Sequence, residues 1–285
     1  MQYINCNICN MNETSLITIQ NEYRVVRCNN CKLVYVNPRP TPAALIALYN
    51  DYHQRDDKDD QTWARLMDMN FRSAASFLNR VYPGKGKILD VGCGYGHFVD
   101  MMKNCGWVAS GIEPSSRTVG YAKSKGLDVA ETTIDAAAFP ENSFTAITAF
   151  YVLEHLFDPF SALRKMYHSL KPGGALILRI PHTTPIVKLL KLFNIKNNLY
   201  DTPFHLYDFS PKTIRLLLKK AGFSEIRVTP GKPTVPERPV ESAISLASGF
   251  LSQTLYAVSM GKLLFPGTSK TIIAIKTNDK EKEGH

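Results

Sequence analysis

One glycine-rich segment constrains the fold of this chain more than any other feature. Residues 87–96 read KILDVGCGYG, in which the apolar residues Ile88, Leu89 and Val91 lead directly into three closely spaced glycines. Apolar runs of this kind are typical of a central strand in a parallel sheet. The glycines let the backbone turn sharply and approach a ligand that a β-carbon would exclude. Together they predict a strand followed by a ligand-binding turn.

A carboxylate stands at the end of the next apolar segment, where Glu113 closes residues 107–113. A side chain at this place accepts hydrogen bonds from the hydroxyls of a ribose. The glycine spacing differs from the dinucleotide-binding pattern G-x-G-x-x-G. His97 occupies the position of its third glycine, and the third glycine of this chain stands one residue earlier, at Gly96. The segment therefore favours a nucleoside cofactor over a pyrophosphate-bearing one.

Four blocks in a fixed order resemble class I S-adenosylmethionine (SAM)-dependent methyltransferases. They are DVGCGYG at residues 90–96, GIEP at 111–114, YVLEHL at 151–156 and LKPGG at 170–174. The resemblance covers roughly residues 86–230. It implies an α/β fold with a doubly wound, Rossmann-like sheet of seven strands, the last of them antiparallel. A Rossmann-like domain that binds another nucleotide is the alternative.

The alternation of apolar segments supports this fold. Strands are predicted near residues 87–92, 107–112, 127–130, 144–150, 174–180, 223–229 and 271–276, with helices between most of them. Such alternation is typical of a mostly parallel sheet that binds ligands at the carboxyl ends of its strands. The resemblance implies that residues 271–276 form the antiparallel strand.

The resemblance also implies which residues contact SAM. They belong to the first strand and its turn, the end of the second strand, the loop after the third and the end of the fourth: Asp90, Gly92, Cys93, Gly94, Gly96, Glu113, Pro114, Thr133, Ile134, Asp135 and Phe150. The family often has an acidic residue where this chain has Thr133, and a Phe-Asp pair where it has Phe144-Thr145. We expect the Thr133 hydroxyl, or Asp135 in its place, to accept the hydrogen bond of the adenine amino group.

Four of the six cysteines form two C-x-x-C pairs near the N-terminus. They are Cys6, Cys9, Cys28 and Cys31. About eighteen residues separate the pairs, a spacing typical of a four-thiolate zinc site, and short strands predicted nearby complete a zinc ribbon over residues 1–37. Disulfide bonds are the alternative, but they are rare in cytosolic proteins. Since four protein ligands leave no open position, the zinc is expected to be structural.

Residues 38–84 are predicted to connect the ribbon to the methyltransferase domain. The sequence NPRPTP at residues 37–42 interrupts regular structure, and helical spacing of apolar residues follows it. In methyltransferases that this chain resembles, helices before the first strand form part of a lid over the substrate. The side chains expected to face the active site are Tyr49, Tyr52 and His53. Packing or solvent contact is the alternative for each.

The methyltransferase domain itself is predicted over residues 85–278, with a disordered tail at residues 279–285. Two segments exceed the minimal family core, near residues 183–200 and 232–268. The first combines apolar residues with lysines, and the second is long and weakly polar. Neither predicts a membrane-spanning helix, but basic amphipathic helices are able to lie on a bilayer surface. Packing over the active site is the alternative.

The chemistry of SAM requires little of the protein, because the methyl group is already activated. The protein aligns the acceptor, excludes water and removes a proton if the acceptor is a hydroxyl or an acidic carbon. His155 and His205 are the main candidates for the base, since both are expected at the carboxyl edge of the sheet, and His182 is a third. Tyr151 and Glu154 are expected to orient the base or to pack. Each histidine has a structural alternative as a helix cap or carbonyl partner.

The charge and composition of the chain limit the kinds of partner that it is expected to bind. A net charge of +9 admits nucleic acid and membrane surfaces. The ribbon lacks the dense basic and aromatic interleaving that follows a phosphate backbone, which argues against nucleic acid. No basic and apolar leader with a cleavage site is found at the N-terminus, which predicts a cytoplasmic location.

These observations predict a SAM-dependent methyltransferase that acts on a small molecule. The combined arrangement is most similar to methyltransferases of bacterial glycan and nucleotide-sugar pathways. This similarity implies a sugar hydroxyl or sugar carbon as the acceptor. The alternatives are another metabolite, a lipid-linked intermediate, a nucleic-acid-binding protein that uses the ribbon, and a SAM-binding protein without catalytic activity.

Overall fold

A computed structural model describes residues 1–45, 48, 60–236, 238–261, 263–264 and 269–277 of the chain. Three side chains assigned to the lid, Tyr49, Tyr52 and His53, lie outside the described residues, as does the tail at residues 279–285. Residues 42–45 form a helical turn, so only the beginning of the first expected lid helix is described.

The described strands and helices alternate over most of the chain. The strands are β1 (Thr14–Gln20), β2 (Tyr23–Cys28), β3 (Val34–Val36), β4 (Lys87–Val91), β5 (Val108–Glu113), β6 (Val129–Glu131), β7 (Phe144–Phe150), β8 (Leu170–Ile180), β9 (Tyr207–Asp208), β10 (Glu225–Pro230) and β11 (Lys270–Ile275). The longer helices are α1 (Asp60–Val81), α2 (His97–Asn104), α3 (Ser116–Ser124), α4 (Pro159–Ser169), α5 (Thr183–Leu192), α6 (Pro211–Ala221) and α7 (Pro239–Val258). A 3-10 turn spans Leu153–His155.

Seven strands form the main sheet in the order β10-β11-β8-β7-β4-β5-β6. Strands β4 to β8 pair in parallel, whereas β11 runs antiparallel to both of its neighbours, β8 and β10. The predicted doubly wound sheet with an antiparallel last strand is therefore confirmed. The order of the strands reverses between β4 and β7, which places a ligand crevice at the carboxyl ends of these two strands.

The central strands form because their side chains are apolar on both faces and are covered by helices. Ile147 of β7 and Leu176 of β8 are fully buried, as are Phe98 and Met102 on the inner face of α2. Burying a side chain of this size stabilises the fold by about 1.5–3 kcal/mol. The apolar runs therefore position the carboxyl ends of the strands, where the sequence carries its glycines and polar residues.

The N-terminal ribbon shares a sheet with the methyltransferase domain. Strands β1, β2 and β3 form a sheet whose fourth strand is β9, and residues Val34 and Tyr35 pair with Asp208 and Tyr207. One hydrophobic core contains buried residues from the ribbon and from the main sheet. The ribbon is thus joined to the chain segment between β8 and α6 by backbone pairing as well as by packing.

The two insertions form helices that leave apolar side chains exposed. On and after α5, Leu192 is 82% exposed and Phe193 is 69% exposed. On α7, Val240, Phe250 and Val258 are exposed, while the Tyr256 hydroxyl donates to the Val228 carbonyl of β10 at 2.9 Å. Within the described ranges, the structure contains no helix with the length and apolar character needed to span a bilayer.

Candidate cofactor and acceptor site

The glycine turn after β4 leaves an open space above Gly94. Gly92, Gly94 and Gly96 have φ angles of 68°, 53° and 82°, a left-handed region that favours glycine. A β-carbon at Gly92 would lie 2.5 Å from Val152, and one at Gly96 would lie 2.7 Å from Leu127. A β-carbon at Gly94 would meet no described atom within 4 Å. Gly92 and Gly96 are required by packing, whereas Gly94 faces space that a ligand can occupy.

Glu113 lies beside this turn at the carboxyl end of β5. Its Oε2 accepts a hydrogen bond from the Gly94 backbone N–H at 3.1 Å, and its Oε1 accepts one from the Ser115 N–H at 3.0 Å. Each carboxylate oxygen carries a second lone pair, which suits it to a ribose hydroxyl. Pro114, which follows, is exposed. The structure therefore brings together the turn and the carboxylate that the sequence predicted to act on one cofactor.

Three other residues of the expected cofactor set have buried side chains. Asp90 accepts a hydrogen bond from the Thr148 hydroxyl at 2.6 Å, and burial raises its pKa to about 7. The Cys93 sulfur packs against Gly111 of β5, as a thiol buried in the turn would. Phe150 packs between two phenylalanine rings of α1 and α2, with centroid separations of 5.1 and 5.0 Å. These side chains belong to the core, because both faces of the central strands are covered.

The loop after β6 lies next to Glu113, because the Thr132 N–H donates to the Glu113 carbonyl at 3.2 Å. Thr133 is exposed, and its hydroxyl accepts from a backbone N–H within the loop at 3.2 Å. Lys165 of α4 donates to the carbonyls of Ile134 and Asp135 at 2.8 and 2.6 Å. Partial burial raises the pKa of the Asp135 carboxyl. Lys165 thus holds the expected adenine loop, a role that its position on a polar helix face did not reveal.

Tyr151 is held rigidly at the end of β7. Its φ angle is 57°, a left-handed conformation that costs free energy in a residue other than glycine. The hydroxyl accepts a hydrogen bond from Arg179 Nε at 2.9 Å and bonds the Ser269 hydroxyl at 2.5 Å. The Arg179 side chain is almost fully buried and also donates to the Lys232 carbonyl. These contacts fix the backbone from which the 3-10 turn with His155 begins.

His155 and His205 lie together at the carboxyl edge of the sheet. Their ring centroids are 4.7 Å apart. His155 Nδ1 donates to the Phe204 carbonyl at 3.0 Å, so the proton of its neutral ring is on Nδ1 and the basic nitrogen is Nε2. His205 Nε2 lies 3.7 Å from an oxygen of Asp201. Burial lowers the pKa of His155 to about 3 and that of His205 to about 4, so both rings are neutral near pH 7.

Glu154 adds a carboxyl group to the histidine pair. Its side chain is fully buried, and neither carboxyl oxygen has a hydrogen-bond partner in the described part of the chain. Burial raises its pKa to about 8, although the nearby Lys270 opposes the shift. Carboxyl and ring atoms of Glu154, His155 and His205 lie within 4.8 Å of one another. Three of the four residues expected at the catalytic centre therefore form one cluster.

His182, the third candidate base, is engaged elsewhere. Its Nδ1 accepts a hydrogen bond from Lys270 at 3.1 Å, and Lys270 also donates to the Pro181 carbonyl. Lys270 is fully buried, and burial lowers its pKa to about 8. Nearby, Asp208 accepts from the first two backbone N–H groups of α5 at 3.2 and 2.9 Å. Lys270 and Asp208 were not identified from the sequence, where each is a single polar residue in a short strand.

A small cavity between the ribbon and the methyltransferase domain, with room for about one water molecule, reaches His205. The domain lines it with His205, Leu206 and Asp208 among others, and the ribbon lines it with Val25 and Val34. Apolar side chains predominate on the ribbon side. The ribbon therefore contributes directly to the surroundings of the histidine pair.

The four N-terminal cysteines meet at one point of the ribbon. Their sulfur atoms lie within 4.8 Å of one another, with separations of 3.3 Å between Cys6 and Cys31 and 3.5 Å between Cys9 and Cys28. All four thiols are free. Sulfur atoms bonded to one tetrahedral zinc at about 2.3 Å lie about 3.8 Å apart. The arrangement fits a zinc ion, and a modest expansion of the cluster would accommodate it.

The fold and the glycine turn define a methyltransferase of the SAM-dependent class. Residues 63–228 match the model of the methyltransferase domain, and the chain belongs to that family. Among similar proteins are ubiquinone biosynthesis O-methyltransferases. That of Pseudomonas entomophila is 32% identical over 151 residues, 50% of this chain and 65% of the relative. That of Xanthomonas axonopodis pv. citri is 30% identical over 154 residues, 50% of this chain and 64% of the relative. The chain thus spans about 44–65% of the length of the curated relatives it matches.

Solved structures share the fold. A SAM-dependent methyltransferase from Thermotoga maritima has a TM-score of 0.51 at 20% identity and covers 81% of this chain and 97% of its own. Phosphoethanolamine N-methyltransferase 2 of Haemonchus contortus, in complex with SAM, has a TM-score of 0.52 at 16% identity and covers 86% and 62%. The family match supports SAM as the cofactor. The expected sugar or glycan acceptor finds no support among the relatives.

Proposed function

We propose that this protein transfers the methyl group of SAM to a hydroxyl group of a small organic molecule. The observation that carries the proposal is the open turn at Gly94 beside the Glu113 carboxylate, with the histidine pair at the same edge of the sheet. An acceptor oxygen attacks the methyl carbon in line with the carbon–sulfur bond, which requires alignment and control of the acceptor proton. We assign control of that proton to His155 and His205.

The acceptor we infer has an apolar body and a ring hydroxyl. This class is supported by the relatives, which are named as O-methyltransferases of ubiquinone biosynthesis. The cavity beside His205 holds about one water molecule, so its lining does not choose between acceptors.

The assignment of the cofactor is tested by calorimetry with two matched variants. Gly94→Val and Gly126→Val both place a side chain at a positive φ in open space, at 53° and 71°. Only Gly94 adjoins the proposed ligand, so we expect SAM and S-adenosylhomocysteine to bind Gly126→Val normally and Gly94→Val at least about tenfold more weakly. Equal affinities would place the ligand elsewhere, and binding of NAD but not of SAM would refute the cofactor.

The acceptor class is tested by S-adenosylhomocysteine formation with a panel of alkylated catechols and nucleotide sugars. We expect turnover with catechols that carry an apolar chain. Turnover of the nucleotide sugars alone would contradict the inferred class and support the sugar acceptor that the ribbon resemblance implied. Formation of S-adenosylhomocysteine with none of the compounds, by protein that binds SAM, would leave the proposal without its substrate and count against it.

A structural zinc ion in the ribbon is part of the proposal. The support is the convergence of four free thiols from two C-x-x-C pairs. Cys28→Ser should lose about one zinc ion per chain relative to Cys105→Ser, which replaces a half-buried thiol outside the cluster. The ribbon should also unfold, since metal binding supplies much of the folding free energy of such modules. Equal zinc contents in the two variants would exclude the site.

We further propose that α5 and the residues after it contact an anionic membrane surface. Leu192 and Phe193 are exposed beside Lys188 and Lys191, so an apolar edge is flanked by positive charge. We expect the protein to sediment with vesicles that contain phosphatidylglycerol, and the double variant Leu192→Ser, Phe193→Ser to lose most of this binding. Val108→Ser, which alters a valine that is 63% exposed, is the control. Equal sedimentation of both variants would refute the contact.

A further inference from the structure

The Glu154 carboxyl group is buried in the middle of the site at a cost in free energy. The side chain is fully buried, and both carboxyl oxygens lack hydrogen-bond partners among the described residues. A buried carboxyl group without partners destabilises a protein unless a cation or a donor compensates it. Lys270 lies in the neighbourhood, but the two groups form no ion pair within 4.0 Å in the part of the chain described. The oxygens are therefore placed for a partner that none of the described side chains supplies.

One of the two histidines beside Glu154, His155, is oriented as a metal ligand is. Histidines that bind metals donate their second ring N–H to a carbonyl or carboxylate, which fixes the ring and its tautomer. His155 does so through Nδ1 to the Phe204 carbonyl at 3.0 Å. His205 Nε2 lies 3.7 Å from the Asp201 carboxylate, which is beyond hydrogen-bond distance. His155 therefore has the supporting hydrogen bond of this arrangement, and His205 has a carboxylate near its ring.

The backbone fixes the three residues relative to one another. Glu154 and His155 lie in the 3-10 turn after β7, whose closing hydrogen bond joins the His155 N–H to the Val152 carbonyl at 3.0 Å. The loop with His205 is tied to that turn, since the Leu206 N–H donates to the Glu154 carbonyl at 2.8 Å. Ligand atoms bonded to one tetrahedral zinc ion at about 2.0–2.2 Å lie about 3.3–3.6 Å apart. The candidate atoms of the three residues lie within 4.8 Å of one another, so the cluster would close by about 1 Å around an ion.

We propose that Glu154, His155 and His205 bind a second zinc ion, separate from the ribbon, and that this ion binds the acceptor hydroxyl. Two imidazoles and one carboxylate suit zinc better than magnesium or calcium, which prefer all-oxygen sites. Three protein ligands leave a coordination position open, as in catalytic rather than structural zinc sites. The role in acceptor binding rests on the proposed O-methyltransferase function, whereas the metal site itself does not.

With the ion bound, His155 and His205 would control the acceptor proton as ligands of the ion rather than as general bases. A hydroxyl bound to zinc ionises far more readily than a free one, and its proton passes to solvent. The resulting oxygen forms a bond to the methyl carbon of SAM as the carbon–sulfur bond breaks. Both electrons of that bond remain on sulfur, so the products are a methyl ether and S-adenosylhomocysteine.

The site is tested by zinc content and zinc affinity, without any acceptor. We expect about two zinc ions in the zinc-saturated wild-type chain and about one in His205→Ala. His168→Ala removes an exposed histidine of α4 and should keep both. Titration of zinc into protein that holds only the ribbon ion should show one site, at least about tenfold weaker in Glu154→Gln, which keeps the size of the side chain. Circular dichroism checks that each variant is folded.

The outcomes separate the metal site from the proposed function. A single zinc ion in the folded wild-type chain, or equal zinc affinity in wild type, Glu154→Gln and His205→Ala, would overturn the site. Two zinc ions with no methylation of any acceptor would support the site and count against the O-methyltransferase function instead. Full turnover after selective removal of the second ion would overturn its role in activating the acceptor.

Discussion

The buried Asp90 carboxyl gives the fold a dependence on pH that one substitution should remove. Burial raises the pKa of Asp90 from 3.8 to about 7, and the Thr148 hydroxyl bond only partly opposes this shift. The folded protein therefore holds the proton over a range in which the unfolded chain has released it. The contribution of Asp90 to the free energy of unfolding is highest below about pH 4 and falls as the pH rises towards 7.

The size of the effect follows from the difference in pKa. One pH unit corresponds to about 1.4 kcal/mol, so a shift of about three units lowers the free energy of unfolding by about 4 kcal/mol in total. Between pH 5 and pH 8 the remaining loss is about 2–3 kcal/mol. This is a large part of a typical stability of about 5–15 kcal/mol. Asp90→Asn has no charge to bury, so its stability should lack this loss.

The measurement is urea unfolding of wild type, Asp90→Asn and Asp128→Asn at pH 5 and pH 8. Asp128 is exposed between α3 and β6, so its variant should follow wild type at both values. The amide in Asp90→Asn changes the free energy of unfolding by the same amount at both pH values. The change in stability between pH 5 and pH 8 therefore reports only the ionisation of the Asp90 carboxyl. If Asp90→Asn loses as much stability as wild type between pH 5 and pH 8, the carboxyl is not protonated in the folded protein, and the reasoning fails.

Three further substitutions probe the site. His155→Ala or His205→Ala should lower turnover at least about a hundredfold while SAM affinity measured by calorimetry stays within a few-fold, and near-normal turnover in both would exclude the pair. Lys165→Met should weaken SAM binding about tenfold, because the loop after β6 loses charge-assisted bonds to its carbonyls, whereas Lys171→Met, at an exposed position of β8, should leave SAM affinity unchanged.

The main sheet could be predicted because its strands are continuous apolar runs. Each of the seven predicted strands overlaps a strand of the structure, from β4 at Lys87–Val91 to β11 at Lys270–Ile275. Strand β9 was not predicted, since its two residues are too short to show any periodicity. It forms because the loop after α5 lies against the edge of β3 and pairs with it. This pairing depends on the tertiary structure and leaves no local pattern in the sequence.

The candidate site could be predicted only where residues close together in the sequence have a spacing that indicates their chemistry. The glycine turn and the two C-x-x-C pairs are such patterns. The burial of Asp90 and Phe150 could not be predicted from the sequence. A strand covered on both faces has no alternation of apolar and polar residues, so the sequence does not indicate which side chains face the ligand. Arg179 and Lys270 were missed for a related reason, since a single charged residue in an apolar strand normally argues for exposure and here both are buried.

The pairing of β3 with β9 links the ribbon to the chemistry. Val34 pairs with Asp208, which caps α5, and His205 stands three residues before Asp208 on the same segment. Loss of the ribbon fold would free this segment, whereas Gly94 and Glu113 are held by β4 and β5, which belong to the main sheet. Cys28→Ser should therefore impair methyl transfer far more than SAM binding. An equal loss of both would show that the ribbon supports the whole domain rather than the acceptor side.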